Sequence, residues 1–261
     1  MLIDGLGMAL NIVIIIVAIL IFIVAIWGGF LQLSIFFRYQ ANNRKRIGGG
    51  KTAKTVAEEM LRNLGYTDIR VERASYFWLI FFSKWGNRYS PRRKKILLYG
   101  NIINKDTVTA IALATQKVGL VMQHKQGEKR MMFRAKWELW TRMAPNLFLP
   151  ITVIGVLIDY LVFGANPSMF GYITLVFVII AIVWTIIAFY CLYLIIPTER
   201  RAGQLAFENI KKNNLLTGDH LRSVEAMYAT YVKKYIADFI MAILELIWDI
   251  LYVLIRIKGK R

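Results

Sequence analysis

Thirty-three consecutive residues without a charge lie between Asp4 and Arg38. They include NIVIIIVAILIFIVAIW, which exceeds the roughly 20 apolar residues that cross a hydrocarbon core. A secretory signal begins with a basic segment and has a short apolar centre. This N-terminus has neither Lys nor Arg before its long run, so the pattern predicts a permanent membrane helix over about 8–36. Composition agrees: 57% of the chain is apolar and 19% charged, with mean hydropathy +0.48, against about 25% charged in a soluble domain.

A second region repeats the pattern. From Arg142 to Glu199 the only charge between is Asp159. GANPSMFG at 164–171 is a turn signal, so the stretch predicts a hairpin of two helices over about 147–163 and 171–196. The last apolar segment, 235–257, carries Asp238, Glu245 and Asp249. Steps of seven and four put these acids on one helical face. Each acid at a bilayer centre costs about 2.5–3.5 kcal/mol on insertion scales, so that face must meet protein or water. A fourth spanning helix in a bundle is the preferred reading. A helix lying in the interface and a proton or ion pathway along the acids are its rivals.

Charge sets an orientation. Lys and Arg gather on the cytoplasmic side of spanning helices. Six follow the first helix within 38–55 and six precede the hairpin within 125–142, whereas the N-terminus and the hairpin turn have none. The expected topology has the N-terminus and hairpin turn outside, with 38–146 and 199–234 cytoplasmic. The resulting divisions are 1–37, a first transmembrane helix; 38–146, a basic cytoplasmic domain; 147–198, the hairpin; 199–234, a cytoplasmic helical segment; and 235–261, a last membrane helix with a basic tail. Residues 38–147 hold 23 Lys and Arg against 7 Asp and Glu, so most of the chain's net charge of +18 sits beside the membrane. Such a face attracts anionic headgroups. No nucleic-acid module is visible.

Within the cytoplasmic part the order is helix, strand, helix. Val56, Met60 and Leu64 recur at steps of four over 52–64, with Gly65 as a terminator. Residues 68–73 and 94–99 pattern as short strands. Asn104 or Asp106 is placed to cap a long helix reaching about 126. Gly48-Gly49-Gly50-Lys51-Thr52 lacks the earlier glycine and the preceding strand of a phosphate loop, and reads as a joint. Residues 75–86, SYFWLIFFSKWG, crowd Tyr76, Phe77, Trp78, Phe81, Phe82 and Trp85 between basic residues. This stretch is too short to span. It fits an interfacial insertion, a wedge for a partner, or plain core.

Three stretches together carry a family resemblance: GGGKTAKTVAEEMLRNLGYTDIRVER, NRYSPRRKKILLYGNIINKDTVTAIALATQKVGLVMQH and LIIPTERRAGQLAF. In their order, and in the order of helices around them, they resemble the YugP-type neutral zinc metallopeptidases of bacterial membranes. The resemblance implies an α-helical membrane protein with three or four transmembrane helices and a small α+β cytoplasmic domain like that of a membrane zinc peptidase. It also locates the zinc motif. Residues 114–124 lie over the family's AAHEAGHAIQH, and Glu199 matches the third ligand. Gln116 then stands at the first histidine, Lys117 at the glutamate base and Leu120 at the second histidine.

The HExxH chemistry needs two imidazoles at i and i+4 on one ion and a carboxylate to take a proton from its water. Gln, Lys and Leu supply none of these, so no cofactor is expected and zinc proteolysis reads as lost. A relocated site through His124, His220 and Glu199 is the alternative within enzyme chemistry. If Glu199 still faces this helix, it lacks a metal counter-ion. Lys117 can supply the missing positive charge, which predicts a Lys117–Glu199 ion pair. The functional expectation is a catalytically inactive homologue that acts as a binding subunit or adaptor for a membrane protein, an intact peptidase relative being one such partner. A hydrolase with a relocated or metal-independent site, and a transport or ion-coupling subunit using the acids of the last helix, are the alternatives.

Overall fold

A computed structural model describes residues 2–47, 50–74, 87–164, 171–216 and 218–258, with backbone alone over 2–11, 138–150, 163 and 249–258. The aromatic stretch Tyr76, Phe77, Trp78, Phe81, Phe82 and Trp85 lies outside the described residues. The chain forms two compact units, one from 1–126 with 198–261 and the other from 127–197.

The first unit opens with helix α1, Leu2–Asn43, which runs beyond the expected 8–36 at both ends. Apolar side chains are exposed all round it, Ile15, Phe22, Phe30 and Phe37 among them. A helix apolar on every side has no preferred core face. Among the described residues two helices are long and apolar enough to cross a membrane, this one over Ile12–Asn43 with mean hydropathy 3.2 and another over Tyr172–Lys212 with 2.9; Ile151–Val162 is a shorter apolar stretch.

After α1 the chain is pinned rather than loose. Ile47 N donates to Asp106 O at 3.0 Å and Val108 N to Lys45 O at 3.1 Å. Thr52 then caps α2, Ala53–Asn63, by accepting from Thr55 N. Lys51 pairs with Glu59 at 2.7 Å. Of the glycine-rich joint, Gly48 and Gly49 lie outside the described residues, and Gly50 and Lys51 lead into the cap. At its far end Gly65 takes φ +74°, and Gly65 N and Tyr66 N bond back to Arg62 O and Leu61 O, the Schellman closure that glycine makes possible.

Strands β1 (Arg70–Arg73), β2 (Arg88–Ser90) and β3 (Lys95–Leu98) form one sheet in the order β1-β3-β2. β1 and β3 are parallel, and β2 and β3 antiparallel. The sequence predicts β1 and β3. It misses β2, because three residues are too few to show alternation. Lys94 falls in a turn at φ +50° rather than in a strand.

A one-turn helix α3, Gly100–Ile103, leads to α4, Val108–Lys125. The N-cap of α4 is Thr107, whose side chain accepts from Ala110 N, and neither Asn104 nor Asp106 fills that role. Thr107 is also anchored from α1, since its Oγ1 donates to Asn43 Oδ1 at 3.2 Å. Helix α4 is buried from Val108 to Gln123. Val56, Met60 and Leu61 of α2 and Ile96 and Leu98 of β3 are buried with it, each such side chain contributing about 1.5–3 kcal/mol.

The second unit contains α5, Lys129–Phe163, and the first part of α6, Tyr172–Lys212. Both helices extend well outside the expected hairpin, and α6 continues through Pro197. Asp159, the hairpin's lone charge, is buried and caps α6. Its carboxylate accepts from Thr174 N at 2.7 Å, Thr174 Oγ1 at 2.5 Å and Ile173 N at 3.3 Å. The rest of α6 belongs to the first unit, as does α7, Gly218–Lys258. The segment expected at 199–234 is thus the end of one long helix and the start of another, and α7 runs without a break into the last apolar stretch.

Candidate functional site

Helices α4 and α6 meet in the first unit at their smallest residues. A Cβ on Gly119 would collide with the backbone carbonyl of Ala202, so only glycine permits this approach. Four residues along, Gln123 Nε2 donates to Thr198 O at 2.8 Å. The two contacts fix the register of α4 against α6 and bring positions 117 and 199 together.

Lys117 Nζ lies 3.3 Å from Glu199 Oε2, with the two side chains 7% and 2% exposed. This is the ion pair that the sequence predicts. Gln116 and Leu120 are buried on the same helix. Gln116 Nε2 is buried without a hydrogen-bond partner. On the other side of α4, Thr115 Oγ1 and Tyr228 OH are 2.8 Å apart, and Tyr228 OH donates to Ala112 O at 3.1 Å. Burial raises the Tyr228 hydroxyl pKa above its ordinary value, which keeps it a neutral donor tying α7 to α4.

A cavity of about 430 Å³ opens beside Gln116 and Lys117. Its other walls include Tyr39 from α1, Tyr99 before α3, and Tyr231 and Tyr235 from α7. No local motif could have announced this cavity, because its tyrosines come from three distant segments of the chain. The only sequence signal for its position is the zinc-motif alignment, which points to 116 and 117.

His124 stands apart from the ion pair. Its Nδ1 is 3.0 Å from Tyr89 OH, with the rings in edge contact. Burial, and then the neighbouring Lys125, lower the His124 pKa, while burial, and then the charge of Asp68, push Tyr89 up to about 12. Both groups are therefore neutral at pH 7. Among the described residues no three of His, Cys, Asp and Glu gather as a metal ligand set, so His124, His220 and Glu199 do not converge on one site. On α7, Asp238 is exposed and pairs with Lys234 one turn earlier. Glu245 is exposed, and the Asp249 side chain lies outside the described residues. An acid already paired with its own helix's lysine fits a structural role better than a relay.

The family model described as "Putative neutral zinc metallopeptidase" matches residues 13–255, from α1 to the last turns of α7. The chain belongs to that family. No curated protein and no solved structure matches it. Zinc is the ion that the family's description implies, and the residues present do not fit it. Gln116 offers a weak neutral oxygen and Leu120 no donor at all. The ammonium of Lys117 stands 3.3 Å from Glu199, where a divalent cation on that carboxylate would be repelled. An ammonium beside a carboxylate is also no general base for a metal-bound water.

Proposed function

We propose that this chain is a non-catalytic, multi-pass membrane member of the neutral zinc metallopeptidase family that binds a membrane protein partner, an intact relative being the simplest candidate. The single observation behind this reading is the buried Lys117–Glu199 pair. A lysine in that position satisfies the carboxylate electrostatically and removes both the place for zinc and the base. Gln116, Lys117, Leu120 and Glu199 are on this reading a degenerate zinc site, in which Lys117 and Glu199 are kept as a buried ion pair. The basic stretch 38–146 faces the cytoplasm and its anionic headgroups, with the N-terminus outside, because Lys and Arg cluster on that side of the apolar helices. The aromatic residues 76–85 are the proposed wedge for the partner.

The test is a gentle-detergent purification of the full chain from its native membrane. Metal content, peptide hydrolysis and co-purifying proteins are read on the same sample by mass spectrometry. One partner at fixed stoichiometry, with neither zinc nor hydrolysis, supports the reading, and replacing Trp78 and Phe81 with Ala should release that partner. Near-stoichiometric zinc, or hydrolysis abolished by a chelator, would overturn it. A cysteine introduced at Asn101 should be labelled only from the cytoplasmic side.

A further inference from the structure

A narrow seam runs along α1. Ile14, Val17, Ile21, Val24, Gly28 and Leu31 are each less exposed than the residues between them, at the three- and four-residue steps of a helix packed along a second helix. That second helix is α7. The two run antiparallel. Lys45 Nζ, just past the end of α1, donates to Ser223 Oγ at 3.3 Å, and Tyr39 shares a cavity wall with Tyr231 and Tyr235, so α7 advances as the residue numbers of α1 fall. Any membrane that α1 crosses, α7 crosses beside it in the opposite direction. Tyr39 follows Arg38 at the end of the uncharged run, which is the level of the headgroups. Fourteen residues separate Glu245 from Tyr231, about 21 Å of helix. Glu245 therefore falls inside a hydrocarbon core about 30 Å thick.

Glu245 is exposed there, whereas Leu244 before it is buried. Among the described residues it has no ion pair or side-chain hydrogen bond. Asp238, nearer the headgroups, is paired with Lys234. Glu245 has no such neighbour on its own helix, since Met241, Ala242, Trp248 and Asp249 stand one turn to either side. An acid at that depth is costly against lipid, and such acids face protein or water. A second copy of the chain brings no cation to that level, because positions 5–37, 143–198 and 235–255 contain neither Lys nor Arg. We propose that the Glu245 face of α7 docks a transmembrane helix of another protein that carries a Lys or Arg at the depth of Glu245. Pairing takes both charges out of lipid, and Trp248, exposed one turn on, gives the docked helix an apolar surface to lie against. The proposal rests on the reading of this chain as a membrane adaptor and names the chemistry of its partner.

The test uses the full chain in phosphatidylcholine vesicles, with Cys191→Ser and a dye on Asn101→Cys, an exposed position. Energy transfer reports association with a labelled Leu-Ala helix of about 23 residues that carries one Lys, one Glu or neither at its centre. The chain with Glu245 intact should bind the Lys helix about five- to thirtyfold more tightly than the unsubstituted one, the range of polar pairs between membrane helices. Glu245→Gln removes the charge with little change of shape and should abolish that preference. Glu245→Lys should transfer the preference to the Glu helix. Equal binding of the three helices, or a preference that survives Glu245→Gln, would overturn the proposal. So would energy transfer between two copies of the chain that Glu245→Gln abolishes, which would make a second copy the occupant. Crossing is read separately in right-side-out and inverted native vesicles, where Lys258→Cys, at the end of α7, should be labelled from the outer side and Asn101→Cys from the cytoplasmic side. Labelling of both from one side would overturn the proposal by removing Glu245 from the bilayer. With labelling from opposite sides, an absent helix preference overturns the docking face alone and leaves the adaptor reading to its own purification test.

Discussion

Replacing Lys117 with Met removes the ammonium from a carboxylate that is 2% exposed and leaves most of the lysine's volume in place. At 3.3 Å and an effective dielectric of 20, the attraction is about 5 kcal/mol. Most of that offsets the desolvation of the two groups. What unfolding reads is the carboxylate left buried without its ammonium, and breaking such a pair costs about 3–5 kcal/mol. Glu199 has at least one further interaction, so the lower figure, about 3 kcal/mol, is expected. For a chain of this size that lowers Tm by about 6–12 °C.

The companion variants separate the pair from its packing. Glu199→Leu should cost a similar amount by stranding Lys117. Lys117→Met combined with Glu199→Leu should recover most of the loss, because an apolar pair replaces a buried ion pair at little net cost. Unfolding followed by the fluorescence of the seven tryptophans in one detergent would measure all four proteins. The signature is a coupling energy of about 2 kcal/mol or more between the two sites, little affected by salt because the pair is buried. A Lys117→Met shift under about 2 °C, or additive single variants, would refute the view that this ion pair stands in for a metal.

Four other outcomes follow from the same geometry. The combined change Gln116→His, Lys117→Glu and Leu120→His restores two imidazoles at i and i+4 on α4 with Glu199 opposite; it should bind zinc at near one per chain by elemental analysis, whereas wild type should not. Gly119→Ala should destabilise by about 1–3 kcal/mol in thermal unfolding, although the same change in an open helix gains about 1 kcal/mol, because the new methyl meets the Ala202 carbonyl. The pKa of His124 is lowered from its ordinary 6.5, so the unfolded chain binds the extra proton first: its contribution is full above pH 6.5 and lost as pH falls through the folded value. Relative to His124→Gln, wild type should therefore lose Tm below pH 6.5 and then level off. Asp159→Ala removes the cap on α6 and should cost about 1–2 kcal/mol, with amide exchange at Ile173 and Thr174 rising before exchange elsewhere in the helix.

The elements that could be read from the sequence were those whose signal is local. Thr52, the four-residue steps of Val56 and Met60, and Gly65 lie within one short window, so α2 appears within a residue of its place. The apolar runs gave the presence of α1, α5 and α6 but not their ends, since a helix continues into polar sequence wherever another element covers it. Lys129–Phe163 begins in a basic stretch that the apolar run does not mark. The Lys117–Glu199 pair was legible only through the family resemblance, which supplied a partner 82 residues away. Residues that act through tertiary meetings left no trace: Tyr228 with Thr115, Gln123 with Thr198, and the tyrosines of the cavity each depend on a register that only packing sets.

The order of changes at the site can be argued from charge. A glutamate buried against α4 is tolerable with a cation beside it and costly without one. If 116 and 120 stand where the family's histidines do, loss of either would release the ion and strand Glu199, and the lysine at 117 would then do more than delete a base. It supplies one positive charge from within the helix and holds the α4–α6 contact that Gly119 and Gln123 also define. Gln116 does not fit that logic, since a leucine there would complete the core as Leu120 does. An uncharged donor kept buried and partnerless is a departure from good packing.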